Sequence, residues 1–206
     1  VLGTYDVYRG GAETSIANAM QIPINDPAML IPAMAHATEH LGFAYTSSVL
    51  QMPPFTFARQ ASTLDHLTDG RVGWNVVTSY LRNAATNLGW PDLPAHDERY
   101  DRADEYLEVT YKLWEASWED DAVLRDTARG LHADPAKVHP IHHQGPYYQV
   151  EGPHLCEPSP QRTPLLFQAG SSTRGRAFAA RHAECVFFVE SLKAVTGPAS
   201  VVKDIR

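Results

Sequence analysis

The segment Arg71 to Ser79, RVGWNVVTS, is apolar, β-branched and free of proline, which suits it to a strand inside a sheet. Three more short runs share that character: Phe43 to Val49, Pro164 to Ala169 and Glu184 to Val189. Stretches of helical spacing lie between them. Asp26 caps a first helix, with Pro27 at its first position, Gly42 at its close, and Leu30, Met34, Ala37 and Leu41 as its apolar stripe. Pro32 sits awkwardly inside it. Phe55 to Leu67 predicts a second helix, ended by Thr68, Asp69 and Gly70. A third runs from about Asp97 to Ser117, with Ala103, Tyr106, Leu107, Thr110 and Trp114 on one face. A fourth spans Thr173 to about His182, and a last begins near Ser191.

This alternation, with strands short and apolar enough to be covered on both faces, predicts an α/β fold on a parallel sheet. A closed (β/α)8 barrel takes eight strands and typically ~250 residues. Four strands in 206 residues predict a partial (β/α)8 TIM barrel of about four βα units in a single domain, residues 1–206. A doubly wound sheet is the runner-up, but no G-x-G-x-x-G follows any of the strands. Three stretches interrupt the rhythm. Val1 to Asn25 and the Asn-, Pro- and Asp-rich run to about Ala95 read as loops. Residues 118–163 read as an insertion, with a short helix and a hairpin around Gln144 and Gly145.

Composition narrows the function. A formal charge of −7, with 17 scattered Lys and Arg, argues against a nucleic-acid partner. No run approaches the ~18 apolar residues of a membrane span. Cys156 and Cys185 lack metal-ligand spacing and read as reduced thiols of a cytoplasmic protein. His139, His142, His143 and His154 match no standard zinc pattern and read as exposed polar residues of the hairpin. No metal site is expected.

In a βα barrel, chemistry gathers at the carboxyl ends of the strands and in the loops that follow. That rule selects Thr46 to Ser48, Asn75 to Ser79, the loop holding His96, and Gly170 to Ser172. Small polar side chains and backbone amides suit a planar, hydrogen-bonding ligand with a phosphate better than a nucleophilic mechanism. Ser79, His96 and Asp104 could be drawn as a triad, but no G-x-S-x-G elbow accompanies them. Ser171 and Ser172 open a helix, either as an anion site or simply as its cap. His96 and Tyr100 are four apart and share a helix face. Asn75, in an otherwise apolar strand, needs a partner from the core or from a ligand.

Longer stretches carry a resemblance: TEHLG (38–42), PPFTFARQASTLDHLTDGRVGWNVVTS (53–79), HDERYDRADEYLEV (96–109), LWEASWEDDAV (113–123), ADPAKVHPI (133–141) and LLFQAGSSTRGRAFAARHAECVF (165–187). From about residue 26 onward the chain resembles the nitrilotriacetate and dibenzothiophene-sulfone monooxygenase group of the bacterial luciferase-like flavin monooxygenases. The resemblance implies a luciferase-like barrel of roughly twice this length, truncated here at both ends. A cofactor-contacting aspartate would lie just before Val1, and the last strands would lie beyond Arg206. It also implies reduced FMN as cosubstrate, molecular oxygen, a small organic substrate, a separate NAD(P)H:flavin reductase, and a homo-oligomer when full length. FMN contacts fall, by the same resemblance, on Thr46, Asn75, His96, Tyr100 and Ser172. His96 is the candidate catalytic residue, as a side chain type that titrates near neutral pH. A non-catalytic flavin-binding protein and a metal-dependent hydrolase are the alternatives.

Overall fold

The computed structural model describes residues 11–187. Helix α1 (Gly11–Ala17) and α2 (Pro27–His36) precede strand β1 (Phe43–Ser48), α3 (Pro54–Thr68), β2 (Val72–Val77), α4 (Arg82–Asn87) and α5 (His96–Tyr111). A π-helical turn, Lys112–Ala116, prolongs α5. Two antiparallel pairs follow, β3 (Val123–Asp126) with β4 (Leu131–Ala133), and β5 (His143–Gln144) with β6 (Gln149–Val150). The chain then returns to β7 (Leu165–Gln168), α6 (Thr173–His182) and β8 (Cys185–Val186). Strands β1, β2, β7 and β8 form one parallel sheet in chain order, as the alternation predicts. The expected residues of the last strand beyond 187, and the helix near Ser191, lie outside the described residues. Among those described, no helix is long and apolar enough to cross a membrane.

Several expectations need correction. Residues 11–17 and 82–87, read as loop, are helices α1 and α4. Each spans two turns or fewer, so an apolar period has no length in which to register. Helix α2 ends at His36, well before Gly42, and buries Ala28, Ile31 and Ala35. Leu30, Met34 and Leu41, expected on its apolar stripe, are exposed. Asp26 caps by accepting from the Ala28 amide at 2.9 Å, with Pro27 at the first helical position. The hairpin forms as expected, but its turn comprises residues 145–148, closed by the Gly145 amide donating to the Tyr148 carbonyl at 3.0 Å.

The strands were also expected to be buried on both faces, and they are covered on one. Tyr45, Trp74 and Leu166 lie side by side across the sheet and are buried. One residue earlier, Ala44 is exposed and Leu165 is 40 % exposed. The helices pack against the Trp74 face. The indole, 0 % exposed, lies 4.3 Å from the Phe57 ring of α3, 6.0 Å from Tyr106 of α5 and 6.5 Å from Trp114. Its Nε1–H donates to the Ser47 carbonyl at 3.0 Å, so the one polar atom of the ring is satisfied.

The insertion is tied to α5 by a buried carboxylate. Glu105 accepts from the backbone amides of Tyr147 (2.9 Å) and Tyr148 (2.8 Å), and lies 3.1 Å from His143 Nε2. Lys112 donates to His143 Nδ1 at 3.0 Å, which leaves Nε2–H to face Glu105. A Cβ at Gly145 would lie 2.0 Å from the Glu105 carboxylate, so the turn admits only glycine there. Farther along, His154 is buried at 4 % exposure with Nε2 2.9 Å from Ser62 Oγ.

Two stability predictions follow from this packing. Trp74→Ala removes the centre of the aromatic cluster and should cost ~3–5 kcal/mol in denaturant unfolding; a loss below 1 kcal/mol would show that the cluster is not the anchor. Burial, with a smaller push from His66, pulls the His154 imidazole down to about 4. The unfolded chain takes up that proton near pH 6.5, so between those values unfolding binds a proton and stability falls as pH falls. The unfolding midpoint should decline from pH 6.5 toward 4, with a shallower decline in His154→Gln. Equal slopes in both proteins would contradict the assignment.

Candidate functional site

The carboxyl ends of β1, β2 and β7 open into a cleft of about 780 Å³. Its walls are the strand ends and the loops after them, the first turn of α5, α4 with its leading loop, and Gln21 and Ile24 from before α2. Thr46, His96, Tyr100 and Ser172 all line it, together with Ser48, Thr78, Ser79, Gly170 and Ser171. Residues from every stretch that the strand-end rule selects thus share one cleft.

Thr46 and Asn75 are paired neighbours across β1 and β2, and the Asn75 Nδ2 donates to Thr46 Oγ1 at 3.0 Å. Asn75 is not itself on the cleft wall; it reaches the cleft through Thr46. Its Oδ1 is buried and has no hydrogen-bond partner, a state that ordinarily costs ~1–3 kcal/mol. Ser48 and Ser79 join the two strand ends by a hydroxyl pair at 2.8 Å. Ser79 holds φ of 62°, a left-handed backbone uncommon outside glycine and one that clusters at functional turns.

Helix α5 presents His96 at its first position and Tyr100 one turn later, with ring centroids 5.3 Å apart. The His96 Nδ1 lies 2.6 Å from Asp97 Oδ1, and the imidazole is half exposed to the cleft side. Asp104 takes no part in a triad with His96. It lies 2.8 Å from His182 Nε2 and accepts from Arg174 at 2.5 Å. Burial alone would raise this carboxyl, but those two hydrogen bonds outweigh it and hold the group below the usual carboxylate range.

Ser172 is the N-cap of α6, its Oγ accepting from the Gly175 amide at 3.0 Å. Gln168, at the end of β7, accepts from the Gly170 amide at 2.6 Å and so shapes the turn into that helix. The turn is close to Tyr100: a Cβ at Gly170 would lie 2.6 Å from its hydroxyl, and one at Gly175 would lie 2.7 Å from it. Both glycines exist so that the phenol can reach the helix entrance. Gln51, Arg99 and Gln168 also line the cleft and were missed from the sequence. Gln168 ends a strand, and Arg99 lies three residues after His96, so strand-end position and helical spacing were the available signals.

The four histidines of the insertion go to separate partners: His139 to Glu119, His142 to Glu151, His143 to Glu105, and His154 to Ser62. They do not converge, and His143 and His154 are buried rather than exposed as expected. Among the described residues no group of three or more His, Cys, Asp or Glu is placed to hold a metal ion.

The model of the luciferase-like monooxygenase family matches residues 10–197. The chain belongs to that family. It is 60% identical over 197 residues to the long-chain alkane monooxygenase of Geobacillus thermodenitrificans, covering 94% of this chain and 45% of that protein. The dimethyl-sulfide monooxygenase of Hyphomicrobium sulfonivorans is 57% identical over 206 residues, covering 100% of this chain and 42% of that one. A solved structure of a riboflavin lyase with modified FMN and riboflavin matches at 45% identity with a TM-score of 0.86, over 94% of this chain and 42% of that chain. The chain thus spans less than half the length of these relatives, and it carries part of a luciferase-like α/β fold. The one-sided covering of the sheet follows from its strand order: right-handed crossovers between strands that succeed one another in chain order put their helices on the same side, as in a barrel.

The cap makes a direct prediction. Ser172→Ala removes the acceptor for the Gly175 amide and should cost ~1 kcal/mol of stability. Denaturant midpoints of the two proteins measure it, and no change would mean that water replaces the cap.

Proposed function

We propose that this chain is the central part of a single-domain, two-component flavin monooxygenase that oxygenates a small organic substrate with reduced FMN and molecular oxygen. The observation that carries the reading is the convergence of Thr46, His96, Tyr100 and Ser172 on one cleft at the strand ends. The names of the relatives, monooxygenases of an alkane and of dimethyl sulfide, agree with it. A flavin reductase using NAD(P)H would deliver the reduced cofactor, and the full-length enzyme would work as a homo-oligomer in the cytoplasm.

The residues present fit an FMN. Thr46 offers its hydroxyl at the cleft wall where a flavin ring or ribityl chain would lie, and Asn75 behind it holds that hydroxyl through its Nδ2–H. The glycine-lined entrance of α6 offers the backbone amides and hydroxyls that hold a phosphate, with the Tyr100 hydroxyl against it. When bound, reduced FMN supplies the electrons that activate oxygen for transfer to the substrate. The protein's share is to hold the cofactor, to exclude water, and to place His96 where it can hold a proton or face an anionic ring. Asp97, 2.6 Å from Nδ1, orients the imidazole so that Nε2 is the atom left for that work. Substrate selection falls to the loop walls, including Gln21, Ile24 and the Tyr80–Leu81 corner. A flavin-binding protein without turnover would keep the same contacts, and substrate-dependent oxygen uptake separates it from the enzyme.

Charge-assisted hydrogen bonds contribute ~1.5–3 kcal/mol each, so in the full-length protein Tyr100→Phe should weaken reduced FMN by about 10- to 150-fold. Reduced riboflavin, which lacks the phosphate, should bind Tyr100→Phe as it binds the unmodified protein. His96→Ala should lower substrate-dependent oxygen uptake more than flavin affinity. Anaerobic titrations and an oxygen electrode give these values, and equal losses for both flavins would place the phosphate elsewhere.

A further inference from the structure

The cleft holds one charge that the contacts above leave unused. Arg99, in the first turn of α5, is 8 % exposed and lines the cleft. Its Nε is buried without a hydrogen-bond partner, and no carboxylate among the described residues pairs with it. The arginines around it are engaged. Arg174 is bound to Asp101 and Asp104, Arg102 to Glu98, and Arg82 to Asp92. Burial pushes the Arg99 guanidinium below its ordinary range, yet an arginine stays a cation in a protein.

The rest of the wall sharpens the point. Among the described residues no Asp or Glu lines the cleft and Arg99 is its one Lys or Arg, in a chain of net charge −7. A buried cation with no counter-charge destabilises a fold, and a ligand anion removes that cost. The neutral donors at the α6 entrance and the Tyr100 hydroxyl can orient an oxyanion but cannot neutralise it.

We propose that Arg99 is a binding residue, the cation that receives an oxyanionic group of a ligand seated in the cleft. The group is the phosphate monoester of the flavin or a carboxylate or sulfonate on the substrate. The planar guanidinium serves either with paired N–H donors. The assignment rests on the cleft being the flavin and substrate site.

The test uses the full-length protein with Arg99→Gln and Arg99→Lys. Without ligand, Arg99→Gln should unfold at the same temperature as the unmodified protein or higher, because an unpaired buried charge has been removed. Reduced FMN and reduced riboflavin are then titrated anaerobically, and inorganic sulfate is titrated calorimetrically into flavin-free and FMN-loaded protein. A loss of tenfold or more for FMN in Arg99→Gln, with riboflavin unchanged, identifies the flavin phosphate as the oxyanion. Unchanged FMN with sulfate binding lost from the FMN-loaded protein identifies the substrate's anionic group. In either case Arg99→Lys should recover part of the loss. A lower unfolding temperature with equal losses for both flavins, or no change with any probe, would overturn the proposal. Failure of the unmodified protein to bind either flavin would sink the flavin reading instead, and sulfate on flavin-free protein would still report on Arg99.

Discussion

The α5 side of the cleft depends on how that helix is held against the sheet, and Trp74 holds it. The indole touches α3 through Phe57, α5 through Tyr106 and the π-helical turn through Trp114, while its Nε1–H closes on β1. Aromatic packing of this density leaves little room for α5 to slide. The amino-terminal turn of the same helix carries His96, Arg99 and Tyr100. The positions of these three side chains are therefore set by packing farther along the same helix.

The other half of the cleft is set by backbone. Gln168 clamps the Gly170 amide and Ser172 caps α6, so the turn between β7 and α6 is held from both sides. Gly170 and Gly175 let the Tyr100 hydroxyl come close, which brings the α5 and α6 halves together without a salt bridge between them at that point. Behind the cleft, Arg174 with Asp101 and Asp104 does join α5 to α6. Charge is thus paired away from the cleft and left unpaired inside it, at Arg99.

Much of this was legible in the sequence, and the reasons for the failures are specific. The parallel sheet and its order follow from strand–helix alternation, because a parallel strand must be returned by a crossover. That Thr46, His96 and Ser172 meet in one cleft was legible because strand ends and helix starts can be counted, and Tyr100 follows His96 by one helical turn. Helix α2 was read on the wrong face because Leu30 and Met34 are larger and more apolar than Ala28 and Ala35, and it was read too long because Leu41 continues their spacing past His36. Helices α1 and α4 are too short to show a period. Burial of His143 and His154 could not be read, since it depends on Glu105 and Ser62, 38 and 92 residues away in sequence. Arg99 was passed over because an arginine in an acidic, helical stretch looks like a solvated residue until its burial is seen.

The proposed function places a flavin in the strand-end cleft with its phosphate at the entrance of α6. A crystal structure of the full-length protein with FMN tests that most directly. The predicted result is a phosphate within hydrogen-bond distance of Ser172 and the Tyr100 hydroxyl, and the flavin against the Thr46 hydroxyl. Flavin bound outside this cleft, or with its phosphate remote from the turn between β7 and α6, would contradict it.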